Sequence, residues 1–429
     1  MQPLSVKVSS LSESTKENKI KSSLLLLLAV SAGIIVSNLF ASQPIVAEIS
    51  ASIGMPSQLA GLVSTLTMLG YATGVVFLLP LTDRLENRRL ILGTLTASIL
   101  ALLGASYARG AATFLCAVFL VGVTSCTLQM VVVMVATLCD ESERGKVVGT
   151  VMSGVMVGGL LCRPTGVLLS AASSWRSVYL TLAIFSAALL FALSRMLPVV
   201  QPTGALPYLE SLKSLGPLLA RVPVLRRRAS YQAAIMVSFG AFWTSIPWRL
   251  IQPPFTLGPR GVAIFAFVAV GSAIIAPVAG QAGDRGLTRS ATIWAHSAVV
   301  AGAILAAYAG ASTNTYAGSI GTWWIPLGLM AVAAMFLDTG VVADQALGRR
   351  AVNMVRPEAR GRINGLFTSS FFVGQALGAA LARPAWMAGG WVGVCVLVLV
   401  PALVAFALHL GEPWAKASEP LETAFPADW

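Results

Sequence analysis

The sequence predicts an all-α integral membrane protein with twelve transmembrane helices in two six-helix, pseudo-symmetric bundles. Three observations carry that expectation. Of 429 residues, 56% are hydrophobic and only 11% charged, with a mean hydropathy of +0.80; a soluble globular chain is far more polar. The charges sit in the gaps between apolar windows of about twenty residues, the length that crosses a bilayer core. Finally, much of the second half repeats the first at a constant offset of 216 residues.

The windows fall at approximately 22–42, 58–80, 90–108, 112–138, 147–171 and 178–198, then at 229–251, 261–279, 291–310, 322–348, 363–384 and 391–410. Runs this long are helices rather than the alternating strands of a barrel, because in hydrocarbon each segment must satisfy its own peptide groups. The expected organisation is a tail (1–21), a first bundle (22–200), a linker (201–228), a second bundle (229–411) and a second tail (412–429). The run from Ser22 to Ala41, preceded by Lys16, Lys19 and Lys21, is read as an uncleaved first helix. A cleaved signal peptide is the competing reading.

Orientation follows from the Lys/Arg bias. With the N-terminus in the cytoplasm, one side holds Lys7, Lys16, Lys19, Lys21, Arg84, Arg88, Arg89, Arg144, Lys146, Lys213, Arg221, Arg226, Arg227, Arg228, Arg285, Arg289, Arg349, Arg350, Arg356, Arg360 and Arg362. The other holds Arg109, Arg176 and Arg260, with Arg249 and Arg383 at its margin. Both termini are therefore expected inside a cell membrane, taken as a bacterial inner membrane. The same bias accounts for the net charge of +12 without a nucleic-acid partner. Cys116, Cys126, Cys139, Cys162 and Cys395 lie in or beside apolar runs, so packing is expected and disulfides are not. The linker stretch from Tyr208 to Arg228 spaces its leucines as an interfacial helix would. Gly216 and Pro217 leave an irregular basic loop as the equal alternative.

The repeat is specific where chance matches are improbable. Gln129 meets Gln345, Arg144-Gly145 meets Arg360-Gly361, Gly158 meets Gly374 and Trp175 meets Trp391. Duplicated membrane halves suit a transporter that rocks one bundle against the other around a midplane site. There is no phosphate loop, dinucleotide fingerprint, zinc spacing or nucleophile elbow, so neither an enzyme nor a cofactor or metal is expected.

Pro80 to Leu90 reads PLTDRLENRRL, and Gly280 to Arg289 reads GQAGDRGLTR. This duplicated Asp-Arg turn resembles the signature loop of the major facilitator superfamily, Gly-x-x-x-Asp-Arg-x-Gly-Arg-Arg. The second copy keeps Gly280; the first has Leu79 in place of glycine and Glu86-Asn87 in place of one glycine. The fifth span, Gly149 to Gly166, resembles the Gly- and Pro-rich antiporter motif of the drug:proton branch, with Cys162-Arg163 in place of Gly-Pro.

The resemblance implies that Asp83, Arg84, Arg88, Arg89, Asp284, Arg285 and Arg289, with Arg144 and Arg360, form turns gating the inner side. Asp83 would face the helix start near Ile363, and Asp284 the one near Val147. It also implies a cavity lined by spans 1, 4, 7 and 10 with help from 2, 5, 8 and 11, offering Asn38, Gln43, Gln129, Arg163, Phe242, Trp243, Gln345, Phe371, Phe372 and Gln375 to an amphipathic organic molecule. Monomeric operation is the family default.

Ionisable groups inside spans are costly. Asp338, in MAVAAMFLDTGVVADQ, is the candidate for carrying a coupling proton; a structural ion pair with Arg163 is the alternative. Arg163 could instead hold an anionic substrate group. Asp344 is expected to pair with Arg349 and Arg350, and Glu48 to be solvated at the outer end. His296 and His409 are expected in packing or interfacial roles. The function expected is proton-coupled export of a small organic compound, with proton-coupled uptake, or a transporter-like sensor, as alternatives.

Overall fold

The computed structural model describes residues 21–56, 59–139, 141–200, 207–311, 324–355 and 359–411. Among them every regular element is helical. In order these are α1 (Ser22–Phe40), α2 (Val46–Ser52), α3 (Leu62–Phe77), α4 (Asn87–Tyr107), α5 (Ala111–Ser125), α6 (Thr127–Thr137), α7 (Glu141–Ala172) and α8 (Trp175–Met196). There follow α9 (Tyr208–Arg221), α10 (Pro223–Leu250), α11 (Pro259–Ala266), α12 (Ile275–Asp284), α13 (Thr288–Ala311), α14 (Trp324–Asn353) and α15 (Arg360–Leu410). Short 3-10 turns lie at Gln43–Ile45, Leu79–Asp83 and Phe267–Ile274.

Nine stretches among the described residues are long and apolar enough to cross a membrane. The last, Gly361–Leu410, contains two of the expected spans, separated where Gly389 and Gly390 leave helical geometry. Gly390 sits at φ 56°, a left-handed conformation that a side chain would resist. The seventh window is occupied by α10, which begins at Pro223 rather than at residue 229; proline is suited to a first helical turn, where its missing N–H has no partner to lose. The eighth is the broken run α11, 3-10 turn and α12. The connection left open between helix and loop is helical over Tyr208–Arg221, through Gly216 and Pro217.

The chain divides into two compact units. The first is built on residues up to Leu218, joined by Leu257–Phe267 and Gly361–Ser369; the second comprises Leu219–Thr256, Val268–Arg360 and the remainder from Ser370. In the first, Ile49, Leu102, Phe114, Val118 and Trp175 belong to one buried core. The Tyr208 hydroxyl donates to the Phe77 carbonyl at 2.9 Å, and Arg362 donates to Ser214 at 2.7 Å, so α9 is fastened beside the first Asp-Arg turn.

Lipid tails are as apolar as leucine, so helix association in a membrane depends on close packing. Each unit has a seam of small residues that supplies it. In the first, a side-chain carbon at Gly154, Gly158 or Gly166 would collide with the carbonyls of Ala29, Gly33 and Ala41 respectively, so α7 lies backbone to backbone on α1. In the second, Gly374 and Gly378 of α15 meet the carbonyls of Ala233 and Val237 on α10 in the same way. Gly158 and Gly374 are mates in the 216-residue repeat, so the repeat is expressed as equivalent helix contacts inside each unit. The tryptophan mates behave alike: Trp175 packs edge-on to Phe114 at 5.2 Å, and Trp391 packs on Phe242 at 6.3 Å while donating to the Ala306 carbonyl at 2.9 Å.

The seam predicts a contrast between neighbouring glycines. Gly158→Leu should destabilise the purified protein by about 1–3 kcal/mol, the usual effect of overpacking. Gly159, which faces open space, should accept leucine within about 0.5 kcal/mol. Thermal unfolding in detergent measures both.

Candidate functional site

In the second unit, Asp338 lies in the middle turns of α14 and is 4% exposed. The indole Nε1 of Trp243, on α10, donates to its Oδ1 at 2.8 Å. This unites two residues reached from the sequence by separate arguments, the embedded carboxylate and a cavity aromatic. An indole N–H can only donate, so it is matched to a carboxylate oxygen whichever protonation state the acid adopts. Trp243 is set by Phe242, edge-on at 5.7 Å, and by Phe239 at 6.4 Å. Pro247, one turn further along α10, lacks the amide that would bond the Trp243 carbonyl. Gln375 of α15 is fully buried, and neither amide atom has a hydrogen-bond partner among the described residues. Phe371 and Phe372 form an aromatic pair at 4.4 Å, and Gln345 is half-buried on α14.

In the first unit, Arg163 is buried on α7. Its Nε donates to Gln43 Oε1 at 3.1 Å, and its guanidinium stands 5.0 Å from the Phe40 ring. Gln43 and Asn38 keep buried amide atoms without a partner among the described residues, Nε2 in the first case and both atoms in the second. Gln129 donates to the Tyr71 hydroxyl at 3.0 Å. Glu48 is exposed, as expected, and accepts from Ser170. Gln43 and Trp243 stand in corresponding places, ten residues beyond Gly33 and Ala233, the paired contacts of the two glycine seams. Each hydrogen-bonds the embedded charge of its own unit.

Around the first Asp-Arg turn, Asp83 shares a cavity of about 60 Å³ with Leu215, Gly361, Arg362 and Gly365. The Arg362 guanidinium attracts its carboxylate. The carboxylate thus stands by the start of α15, where the resemblance put it, with an arginine as well as a helix end for company. Arg88 donates to the Ser194 carbonyl at 2.6 Å and Arg89 pairs with Glu86 at 2.8 Å, while Arg84 is exposed. Asp284 pairs with Arg350 at 2.8 Å; Arg285 and Arg289 are exposed. The side chains of Arg144 and Arg360 lie outside the described residues.

One expectation is corrected. Asp344 meets not Arg350 but His296 Nε2 at 3.2 Å and Arg228 Nη1 at 4.0 Å. Its position on α14 turns it into the bundle, whereas Arg350, six residues on, reaches Asp284. His296 is likewise more than packing. Arg228 falls in the linker expected from the sequence (201–228), whereas the helix start at Pro223 places it inside α10.

The Major Facilitator Superfamily model matches residues 25–346. The uncharacterized transporter YgaY of Escherichia coli K12 is 29% identical over 393 residues, 91% of this chain and 96% of its own length. A probable transporter of Streptomyces coelicolor is 26% identical over 86% of this chain and 83% of its own. Among solved structures, the human organic anion transporter MFSD10 superposes with a TM-score of 0.64 at 17% identity, covering 91% of this chain and all of that one. The nucleoside transporter NupG gives 0.68 at 12%, covering 90% and 99%; at these identities the likeness is one of fold. With helices, duplicated turns and family match in agreement over most of its length, the chain belongs to the Major Facilitator Superfamily and is a multi-pass membrane transporter, not an enzyme.

Proposed function

We propose that the protein exports a small amphipathic organic compound in exchange for protons by alternating access, with both termini in the cytoplasm and Asp338 carrying the proton. The observation that carries this reading is the buried Asp338 carboxylate held by the Trp243 indole. A carboxyl group in an apolar helix bundle is expensive to keep charged, so binding and releasing a proton there changes the free energy of the surrounding state by enough to bias a conformational equilibrium. Trp243 belongs at once to the proposed proton site and, through Phe242 and Phe239, to a largely buried aromatic cluster. A cargo ring lying against that cluster would disturb the hydrogen bond to Asp338, and this is a physical route by which cargo and proton can exclude one another. Aromatic walls with few polar groups suit an amphipathic cargo. The names of similar proteins range over organic anions, nucleosides and, for a probable efflux protein of Mannheimia succiniciproducens matching 48% of this chain, sugars. The cargo is therefore read from the residues.

Two outcomes are expected in proteoliposomes with an imposed pH gradient and a panel of amphipathic compounds. Asp338→Asn should abolish proton-driven flux, by tenfold or more on the order expected for a lost coupling group, while cargo still exchanges across the membrane. Wild-type coupling in that variant removes Asp338 from the mechanism, and gradient-driven accumulation on the proton-rich side's opposite face in the same direction as the protons would make the protein an importer. Trp243→Phe keeps the ring but withdraws the donor, at about 1–3 kcal/mol for the acceptor left behind. It should slow coupled flux by roughly tenfold in a protein that still elutes as a folded species.

A further inference from the structure

The second unit holds a buried polar cluster that the proton and cargo sites do not use. It joins Arg228 and Tyr231 of α10, Thr292 and His296 of α13, Asp344 of α14, and His409 near the end of α15. His296 is 0% and Asp344 1% exposed. Arg228 Nη1 donates to Thr292 Oγ1 at 3.0 Å and lies 4.0 Å from Asp344. Thr292 passes its own hydrogen to the Thr288 carbonyl at 2.8 Å. Tyr231 stands edge-on to both imidazoles, 5.8 Å from His296 and 5.6 Å from His409, and the two histidine rings are 5.5 Å apart.

The hydrogen bonds determine which nitrogen of His296 carries hydrogen. Asp344, facing the Arg228 guanidinium, is an acceptor, so the imidazole nitrogen 3.2 Å from it, Nε2, must be the donor. Nδ1 then bears a lone pair. That atom is buried and has no hydrogen-bond partner among the described residues, an uncommon condition for a buried polar atom. An imidazole steered through one N–H by a carboxylate, with a lone pair on a second nitrogen that no donor occupies among the described residues, is arranged as a base. A proton adds at Nδ1, and the imidazolium charge is shared with the carboxylate already bonded to Nε2.

We propose that the Asp344–His296 pair, backed by Arg228, is a second proton-binding site, separate from Asp338. It takes one proton at His296 Nδ1, and the charge of the Arg228, Asp344 and His296 group rises by one. The titratable and charged groups facing it are Arg228 and Tyr231 from α10, Asp344 from α14 and His409 from α15. Asp284 of α12, which also packs on α13 and α14, is engaged with Arg350. His296 lies eight residues into α13, about 12 Å from the helix end that follows the Asp284-Arg285 turn. With the termini in the cytoplasm, on which this placement rests as part of the proposed function, this is the inner half of the bundle. A new positive charge beside Arg228 competes with it for Asp344 and so alters the contact between α10 and α14.

The chain has two histidines, which makes the test direct. Label histidine with ¹⁵N and follow the imidazole signals of the full chain in lipid nanodiscs, using His409→Gln to leave His296 alone. The expected result is that Nδ1 changes from a lone-pair nitrogen to a protonated one as the pH is lowered. In Asp344→Asn the midpoint should move by about one pH unit or more, as for loss of a neighbouring opposite charge. Should that variant fail to fold, the wild-type titration still decides: an Nδ1 signal constant over the range overturns the proposal. So does a titration that Asp344→Asn leaves in place, or one that disappears in Asp338→Asn, since the two sites would then not be separate. Because the measurement needs no flux, it stands or falls independently of the transport cycle.

Discussion

A peptide group in hydrocarbon has no water to turn to, and the architecture of this chain follows from that constraint. The described residues answer it with helices alone, bonded within themselves. Helices so satisfied present only side chains to one another, and in lipid the remaining source of cohesion is close contact. Hence the seams at Gly154, Gly158 and Gly166 in one unit and at Gly374 and Gly378 in the other, where backbone lies on backbone. Where the helices do break, at the 3-10 turns and at Gly389-Gly390, the fold gains its corners.

Against so apolar a background each embedded charge is an expense that some neighbour must offset. Arg163 is served by Gln43 and Phe40, Asp338 by Trp243, and Asp344 by His296 and Arg228. The correspondence of Gln43 with Trp243 shows how a duplicated scaffold can diverge. The same place beside the glycine seam carries an amide facing a guanidinium in one unit and an indole facing a carboxylate in the other. The scaffold positions are kept, and the chemistry placed on them differs.

Asp83, Asp284 and Arg350 have a different standing. They lie at exposed helix ends, where an ion pair contributes only about 0–1 kcal/mol. Contacts of that size suit elements that must form and break, whereas the buried Asp344 group ties α10, α13 and α14 together through hydrogen bonds shielded from water. Strength of burial therefore separates the polar residues that hold a unit together from those at its margin.

The helical membrane fold, the positions of nearly all the spans, the duplication and the embedding of Asp338 within a span were legible in the sequence. Each depends on quantities that accumulate along the chain: apolar length, charge spacing and a constant offset between repeats. Whether residues 208–221 form a helix, where α10 begins and which partner Asp344 takes were decided by tertiary structure. A helix turns about 100° per residue, so Asp344 and Arg350, near in sequence, point to different neighbours, while His296, 48 residues away, comes within hydrogen-bonding distance of Asp344. Sequence alone determined which side chains this protein must bury in the membrane; the rotation and packing of its helices decided what each of them meets there.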